Sequence, residues 1–304
     1  MDSCPQDPEP SLCTQIVSNP DISGIGVRVA IYAQTIISMS IASFLPYHEE
    51  AFRDTSRSSY IVSTSLMIAS LIELKTHGLS LFDALIVTML TTIMTAFVTA
   101  NIAYSRTLGL SINISSFLFT TFWVYWGLQV WNDPKTFGIP EGEENCNASI
   151  DTVFVVFGQN VSVTNSGLRG FAMFIFAIGS ISALAALWQC IKWTFLYAIG
   201  GAEKAKRAAA EEYVRKLRGQ RNRSGTSVQH MSFFGGAAGM IYMIITTEQI
   251  VRRNQDVSTQ VNDWSYSQTL AMIMLGQQLM DCCTYIRQEV EYKKKERARA
   301  NGDV

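Results

Sequence analysis

The first twenty residues contain no lysine or arginine, although they carry Asp2, Asp7 and Glu9, and the stretch 132–167 has Lys135 as its only base. Charged residues make up 16% of the chain against 48% hydrophobic, well below the ~25% charged of an ordinary soluble domain. The balance of 24 Lys and Arg against 25 Asp and Glu gives no broad basic surface, so a nucleic-acid partner has no support. The 3 histidines are scattered and no Cys/His spacing matches a metal site. Neither a metal nor another cofactor is expected. No cleavable leader is expected either, because the first apolar stretch begins after residue 20, lacks a basic flank before it and is too long for an h-region. No internal repeat of the kind that marks inverted-repeat transporters is visible.

What the chain does have is long apolar runs. Seven stretches, near 24–45, 59–74, 79–103, 109–131, 168–199, 231–251 and 265–286, compare with the about 17–25 residues of a spanning helix. The second is the shortest and most polar. The segment 200–230 holds Lys204, Lys206, Arg207, Arg215, Lys216, Arg218, Arg221 and Arg223, and the tail holds Lys293, Lys294, Lys295, Arg297 and Arg299. Basic segments stay cytosolic, and with seven spans parity then puts the N-terminus outside. The expectation is an all-α, polytopic bundle of seven transmembrane helices. An extracytosolic arm over 1–23 precedes a transmembrane domain over 24–286, and a basic cytosolic tail over 287–304 follows it.

The long loop 132–167 should then be lumenal, and it carries two glycosylation sequons, at Asn147 and Asn160. Sequons at Asn113 and Asn222 fall on the cytosolic side and should stay bare. A secretory-pathway protein of the endoplasmic reticulum or plasma membrane is expected. Cys4, Cys13 and Cys146 lie on the oxidising side, so one disulfide is expected among three possible pairings. Cys190, Cys282 and Cys283 should be free thiols. Gly78 marks a tight turn that makes a helical hairpin of the second and third spans. Gly200-Gly201 breaks the fifth span, and Glu203/Arg207, Glu211/Arg215 and Glu212/Lys216 at i,i+4 predict a solvated cytosolic helix over 202–218. Residues 152–157 are β-branched and aromatic before Gly158, which predicts a short hairpin or a dip into the membrane surface.

Ionisable groups within spans are costly and are functional candidates. Arg28, Glu73, Asp83 and Glu248 all fall in the lumenal half. Glu73 and His77 read as interfacial residues that reach water. Arg28, Asp83 and Glu248 read either as a packing network or as members of a pocket. Near their level stand Trp126 and Trp131 at the end of the fourth span and Trp264 and Tyr266 at the start of the seventh. Gln277 and Gln278 sit at mid-depth in the seventh, where one should hydrogen-bond across the bundle.

The segment Asn19-Pro20-Asp21-Ile22-Ser23-Gly24-Ile25-Gly26-Val27-Arg28, followed by Tyr32 and Gln34, resembles the N-P-D-[IV]-[AS]-G-I-G-V-R opening of a group of fungal multi-pass membrane proteins. Leu79 to Val87 is similar to that family's L-S-L-x-H-A-I-V segment, with Asp83 in place of the usual histidine. Glu248 with Arg252, Arg253 and Asn254 resembles a weakened E-x-x-x-x-W-N stretch, and Gly276-Gln277 a G-Q pair in the last helix. Most members have no assigned activity, so the resemblance implies fold and topology more than function. The group is similar in size to membrane-bound terpene cyclases of fungal secondary metabolism. That likeness implies an acid-initiated cyclase for a hydrophobic prenylated substrate, with Asp83 or Glu248 as the acid, Arg28 as its modulator, and Trp126, Trp131, Trp264, Tyr266 and Gln277 lining the site. The alternative is a seven-helix, receptor-like sensor or a non-catalytic membrane protein whose partners are membrane lipids. No D-R-Y-like triplet stands at the inner end of the third span, and no N-P-x-x-Y in the seventh.

Overall fold

The computed structural model describes residues 18–44, 49–76, 78–100, 110–138, 152–222, 225–254 and 261–300. In chain order these form α1 (Pro20–Ser23), α2 (Ile25–Phe44), α3 (Glu49–Thr76), α4 (Leu81–Ala100), α5 (Leu110–Asn132), β1 (Val153–Val156), β2 (Gln159–Ser162), α6 (Ser166–Asn222), α7 (Gly225–Arg253) and α8 (Tyr266–Ala300). The fold is helical, apart from one two-stranded hairpin among the described residues. Cys4, Cys13, Cys146 and Asn147, on which the disulfide and first-glycan expectations rest, lie outside the described residues, as does His77.

Helix α4 is the centre of the bundle. Every residue from Leu79 to Thr91 is buried, as a helix apolar all round must be, and α4 packs on α2, α3, α5 and α7. Around it, α5 lies along α6 and α2 along α8. The expected hairpin of α3 and α4 is present. Gly78 turns it at φ 82° and its N–H donates to the Glu73 carbonyl at 3.0 Å. Only glycine takes that left-handed conformation without strain.

Two helical stretches among the described residues are long and apolar enough to cross a bilayer, Pro20–Ile41 and Ser166–Gly201, and Leu81–Ala96 is a shorter apolar one. The remaining helices are interrupted by polar groups: α3 carries Arg53, Asp54, Arg57 and Glu73, and α8 carries Gln277, Gln278, Asp281 and Arg287. Length and composition alone therefore support fewer spans than seven. Helix α3 begins at Glu49, well before the expected 59, and α7 begins at Gly225 rather than 231. The break after the fifth apolar stretch is at Gly201, with φ 70° and ψ 168°, and the helix beyond it runs to Asn222 rather than 218. Helix α6 exposes Phe171, Phe174, Ile181, Leu184, Trp188, Phe195 and Ile199, each more than 60% accessible. An apolar face of that extent marks a surface for contact with lipid or with another protein.

Candidate functional site

The N-terminal segment explains itself as a fastening. Asn19 caps α1, its Oδ1 accepting the Asp21 N–H at 2.9 Å, and Pro20 occupies the first helical position, where its missing N–H costs nothing. The turn ends at Gly24 and α2 begins at Ile25, so α1 and α2 meet at a break that leaves backbone groups orphaned on both sides. Gln268, fully buried at the start of α8, repairs it. Its Oε1 accepts the Gly26 N–H at 2.8 Å, and its Nε2 donates to the Pro20 carbonyl at 3.2 Å and the Asp263 carbonyl at 2.6 Å. That close approach is why Gly24 and Gly26 are glycines: a Cβ on either would run into the Gln268 side chain. Ser267 adds a hydroxyl donated to Asp21 Oδ1 at 2.8 Å.

Asp83 holds the same segment from α4. Ser80 is the N-cap of α4, its Oγ accepting the Asp83 N–H at 3.1 Å and donating to Asp83 Oδ2 at 2.8 Å, a variant of the capping box with Asp at the third position. Asp83 Oδ2 also accepts the Asn19 N–H at 2.9 Å, and Oδ1 accepts the Ser23 hydroxyl at 2.5 Å. From α3, Glu73 Oε1 accepts Asn19 Nδ2 at 3.1 Å. The Asp83 side chain is 1% exposed, with its oxygens spent on three donors of the chain itself.

Arg28 faces the other way. Its Nε donates to Glu248 Oε1 on α7 at 2.9 Å and its Nη1 to the Ser23 carbonyl at 2.5 Å. Tyr32 donates its hydroxyl to the same Glu248 oxygen at 3.0 Å. Arg28 is 2% exposed and Glu248 37%. Arg28 and Glu248 make an ion pair of which Asp83 is not part. Arg28, Asp83 and Glu248 are therefore brought together only through Ser23. The polar layer legible in the sequence comprises Arg28, Asp83, Glu248 and, at the start of the seventh apolar stretch, Gln268, whereas the parts of Ser23 and Ser80 come from the structure. The Ser80-x-x-Asp83 spacing was the available signal for the first contact of Asp83.

The aromatic candidates do not converge. Trp126 is fully buried in the core, its Nε1 donating to Thr88 Oγ1 at 3.1 Å and its ring edge-on to Phe137 at 6.4 Å. Trp131 is 3% exposed and packs edge-on against Phe154 at 5.8 Å. Trp264 and Tyr266 are 62% and 78% exposed, on the outside of the bundle. Buried rings in full van der Waals contact and rings at the surface share no chamber, so the expected aromatic lining is not assembled.

Residues 153–162 do form a hairpin, with Val156 opposite Gln159 and a two-residue turn at Phe157-Gly158, both at positive φ. It lies along the end of α7. Asn254 Oδ1 accepts the Val153 N–H and Asn254 Nδ2 donates to the Val153 carbonyl, both at 3.0 Å, while the Phe157 N–H donates to the Tyr242 hydroxyl at 3.2 Å. Asn160, on β2, is exposed, whereas Asn113 is 4% exposed.

Gln277 belongs elsewhere. With Gln278, Asp281 and Tyr285 of α8 and Asp54 and Arg57 of α3 it lines a cavity of about 330 Å³ toward the other end of the bundle. Tyr285 donates its hydroxyl to Asp54 Oδ2 at 2.8 Å. Gln278, the one of the pair that bonds across the bundle, donates Nε2 to Ser38 Oγ on α2 at 3.3 Å. No three or more His, Cys, Asp or Glu among the described residues are grouped to hold a metal. No family model, curated protein or solved structure matches the chain.

Proposed function

We propose that this chain is a seven-span membrane protein of the receptor-like, non-catalytic class, with its N-terminus outside and its C-terminal tail in the cytosol. The observation that carries this reading is the commitment of the polar layer. Asp83 is bound to Asn19, Ser23 and Ser80, and Glu248 to Arg28 and Tyr32. An acid that starts a cyclisation needs to come within hydrogen-bond reach of its substrate and to sit in a chamber that stabilises a cation. Asp83 is sealed behind its own donors, and the four aromatic candidates line no common space. Fastening the helix ends is the chemistry these groups supply.

Topology rests on charge segregation and on the hairpin. Beyond the Val153 and Phe157 groups that Asn254 and Tyr242 satisfy, a two-stranded hairpin has further outward N–H and C=O groups, which the hydrocarbon core does not tolerate open. Its contact with Tyr242 therefore sets the end of α7 beyond that residue among the headgroups, together with Glu248. That leaves Gly225–Tyr242 to cross, about 27 Å at 1.5 Å per residue against a core of ~30 Å. Ion pairs at the headgroup level are cheap, which suits a structural role for Arg28 and Glu248.

The test is full-length protein in microsomes from a fungal or yeast host, supplied with a panel of epoxidised prenyl-aromatic compounds. The proposal expects no conversion by the wild type. Turnover that disappears in Asp83→Asn or Glu248→Gln while the protein remains folded would restore the cyclase.

A further inference from the structure

We propose that the tip of the β1–β2 hairpin docks on the outer leaflet of the bilayer, with the Phe157 ring seated where acyl chains meet headgroups; this rests on the membrane topology proposed above. The first observation is local. Phe157 has φ 48°, a left-handed conformation that glycine or asparagine takes readily in a two-residue hairpin turn and a bulky side chain takes at a cost. Such outliers concentrate in segments that have a function to perform. The fold gives the ring little in return. It meets the Tyr242 ring of α7 at 5.1 Å and is otherwise open, 80% exposed.

The second observation is where the tip stands. The hairpin runs down α7 from Asn254, which holds Val153, to Tyr242, whose hydroxyl accepts the Phe157 N–H at 3.2 Å. Those two contacts are about 18 Å apart along the helix at 1.5 Å per residue, so the tip is the part of the hairpin nearest the stretch Gly225–Tyr242 that crosses the core. It also stands on the outward face of α7. Met240, Thr247 and Ile250 are buried, whereas Ile241 and Ile245, beside Tyr242, are 54% and 51% exposed, and an outward apolar face at that level faces lipid. The third observation is chemical. No charged residue lies between Asp151 and Arg169, and the N–H at the tip already has its acceptor, so the ring can enter the apolar edge of the leaflet without stranding a polar group. Gln159, Asn160 and Ser162 of β2 are exposed and stay with the headgroups and water. A phenylalanine set shallowly at the boundary of headgroups and chains is a common device of surface-lying segments.

The experiment uses full-length protein reconstituted in phosphatidylcholine bilayers whose chains are brominated either near the carbonyl end or near the methyl end, with tryptophan fluorescence reporting contact and depth. The wild type, with its 6 tryptophans, is the reference, and its exposed Trp188 on α6 is quenched if the helices span lipid. Phe157→Trp should add emission that brominated chains quench, most strongly with bromine near the carbonyl end. Added emission that neither lipid quenches, or that methyl-end bromine quenches more, would overturn the proposal. A wild type that no brominated lipid quenches would instead show that the membrane reading itself has failed. Two further variants decide the matter if Phe157→Trp does not fold. Phe157→Asn suits the turn but not the leaflet, and Phe157→Leu suits the leaflet but has no ring for Tyr242. In bilayers, amide hydrogen exchange across residues 153–162 should be about tenfold faster in Phe157→Asn than in the wild type, the fold-change that matches the low end of burying a phenylalanine side chain. Phe157→Leu should stay close to the wild type. Unchanged or slower exchange in Phe157→Asn would show that the turn alone governs the tip, and equal losses in both variants that the Tyr242 ring does; either result overturns the proposal.

Discussion

The Ser23 hydroxyl donates to Asp83 Oδ1 at 2.5 Å, while the carbonyl of the same serine accepts Arg28 Nη1 at 2.5 Å. One residue of a short helical turn thus joins a carboxylate on α4 to a guanidinium that reaches α7. Ser23→Ala removes only the first of these bonds and leaves a buried carboxyl oxygen short of a donor. The expected loss is about 1–3 kcal/mol, measured as a lower melting temperature of the purified protein. Unchanged stability would mean that Asp83 does not depend on this contact.

The ion pair of Arg28 and Glu248 is lopsided, and its mutants should be too. Removing the carboxylate, as in Glu248→Gln, leaves a guanidinium that is 2% exposed without its counter-ion. Breaking a buried pair that way costs roughly 3–5 kcal/mol. Arg28→Met leaves Glu248, which is 37% exposed and can take up water, so the loss should be smaller. The double change Arg28→Met with Glu248→Met should recover yield relative to Glu248→Gln alone. Equal losses from both single changes would show that burial does not govern this pair.

Gly26 and Gln268 should be coupled. Gly26→Ala drives a methyl against the Gln268 side chain, and overpacking of this kind costs typically about 1–3 kcal/mol. Gln268→Ala leaves the Gly26 N–H without its partner and takes one of two donors from the Pro20 carbonyl, which keeps the Gly24 N–H, a loss of similar size. In the double mutant the Cβ at position 268 still meets the new methyl, but the hydrogen bond between Gly26 and Gln268 is lost once rather than twice, so the combined loss should fall short of the sum, as a double-mutant cycle would read. Strict additivity would mean the two residues do not meet.

Glycosidase treatment should shift the gel mobility of protein from the natural host, and Asn147→Gln with Asn160→Gln should abolish the shift. The exposed position of Asn160 on β2 and the burial of Asn113 agree with glycan on the first and none on the second. A glycan mapped to Asn113 or Asn222 would invert the topology.

Much of the helical frame was legible because apolar runs, a Gly78 turn and a Gly201 break are local signals that depend on few neighbours. Helix ends were read less well. The polar start of α3 from Glu49 lacks the apolar pattern that a hydropathy reading follows, although it is helical. At the polar layer the sequence revealed which residues are ionisable but not what they bind. Depth places Arg28, Asp83 and Glu248 at one level, yet only tertiary contacts show that Ser23 stands between Arg28 and Asp83. The aromatic residues failed for the same reason: Trp126 and Trp264 look alike in a sequence, and one is sealed in the core while the other is at the surface. The glycines of the N-terminal motif were quoted as a signature, and their cause lies far along the chain at Gln268.

The central claim is that Asp83 fastens the N-terminal turn to α4, and Asp83→Asn tests it most directly. The amide keeps the shape of the side chain but turns one of its two acceptor oxygens into a donor, so that the donors of Asn19 and Ser80 on one side or of Ser23 on the other lose their acceptor, and the bonds that remain lose their charge. The account predicts a lower melting temperature, corresponding to about 1–2 kcal/mol, with no activity on epoxidised prenyl substrates to lose. A mutant that melts with the wild type, and lacks a substrate conversion that the wild type performs, would contradict it.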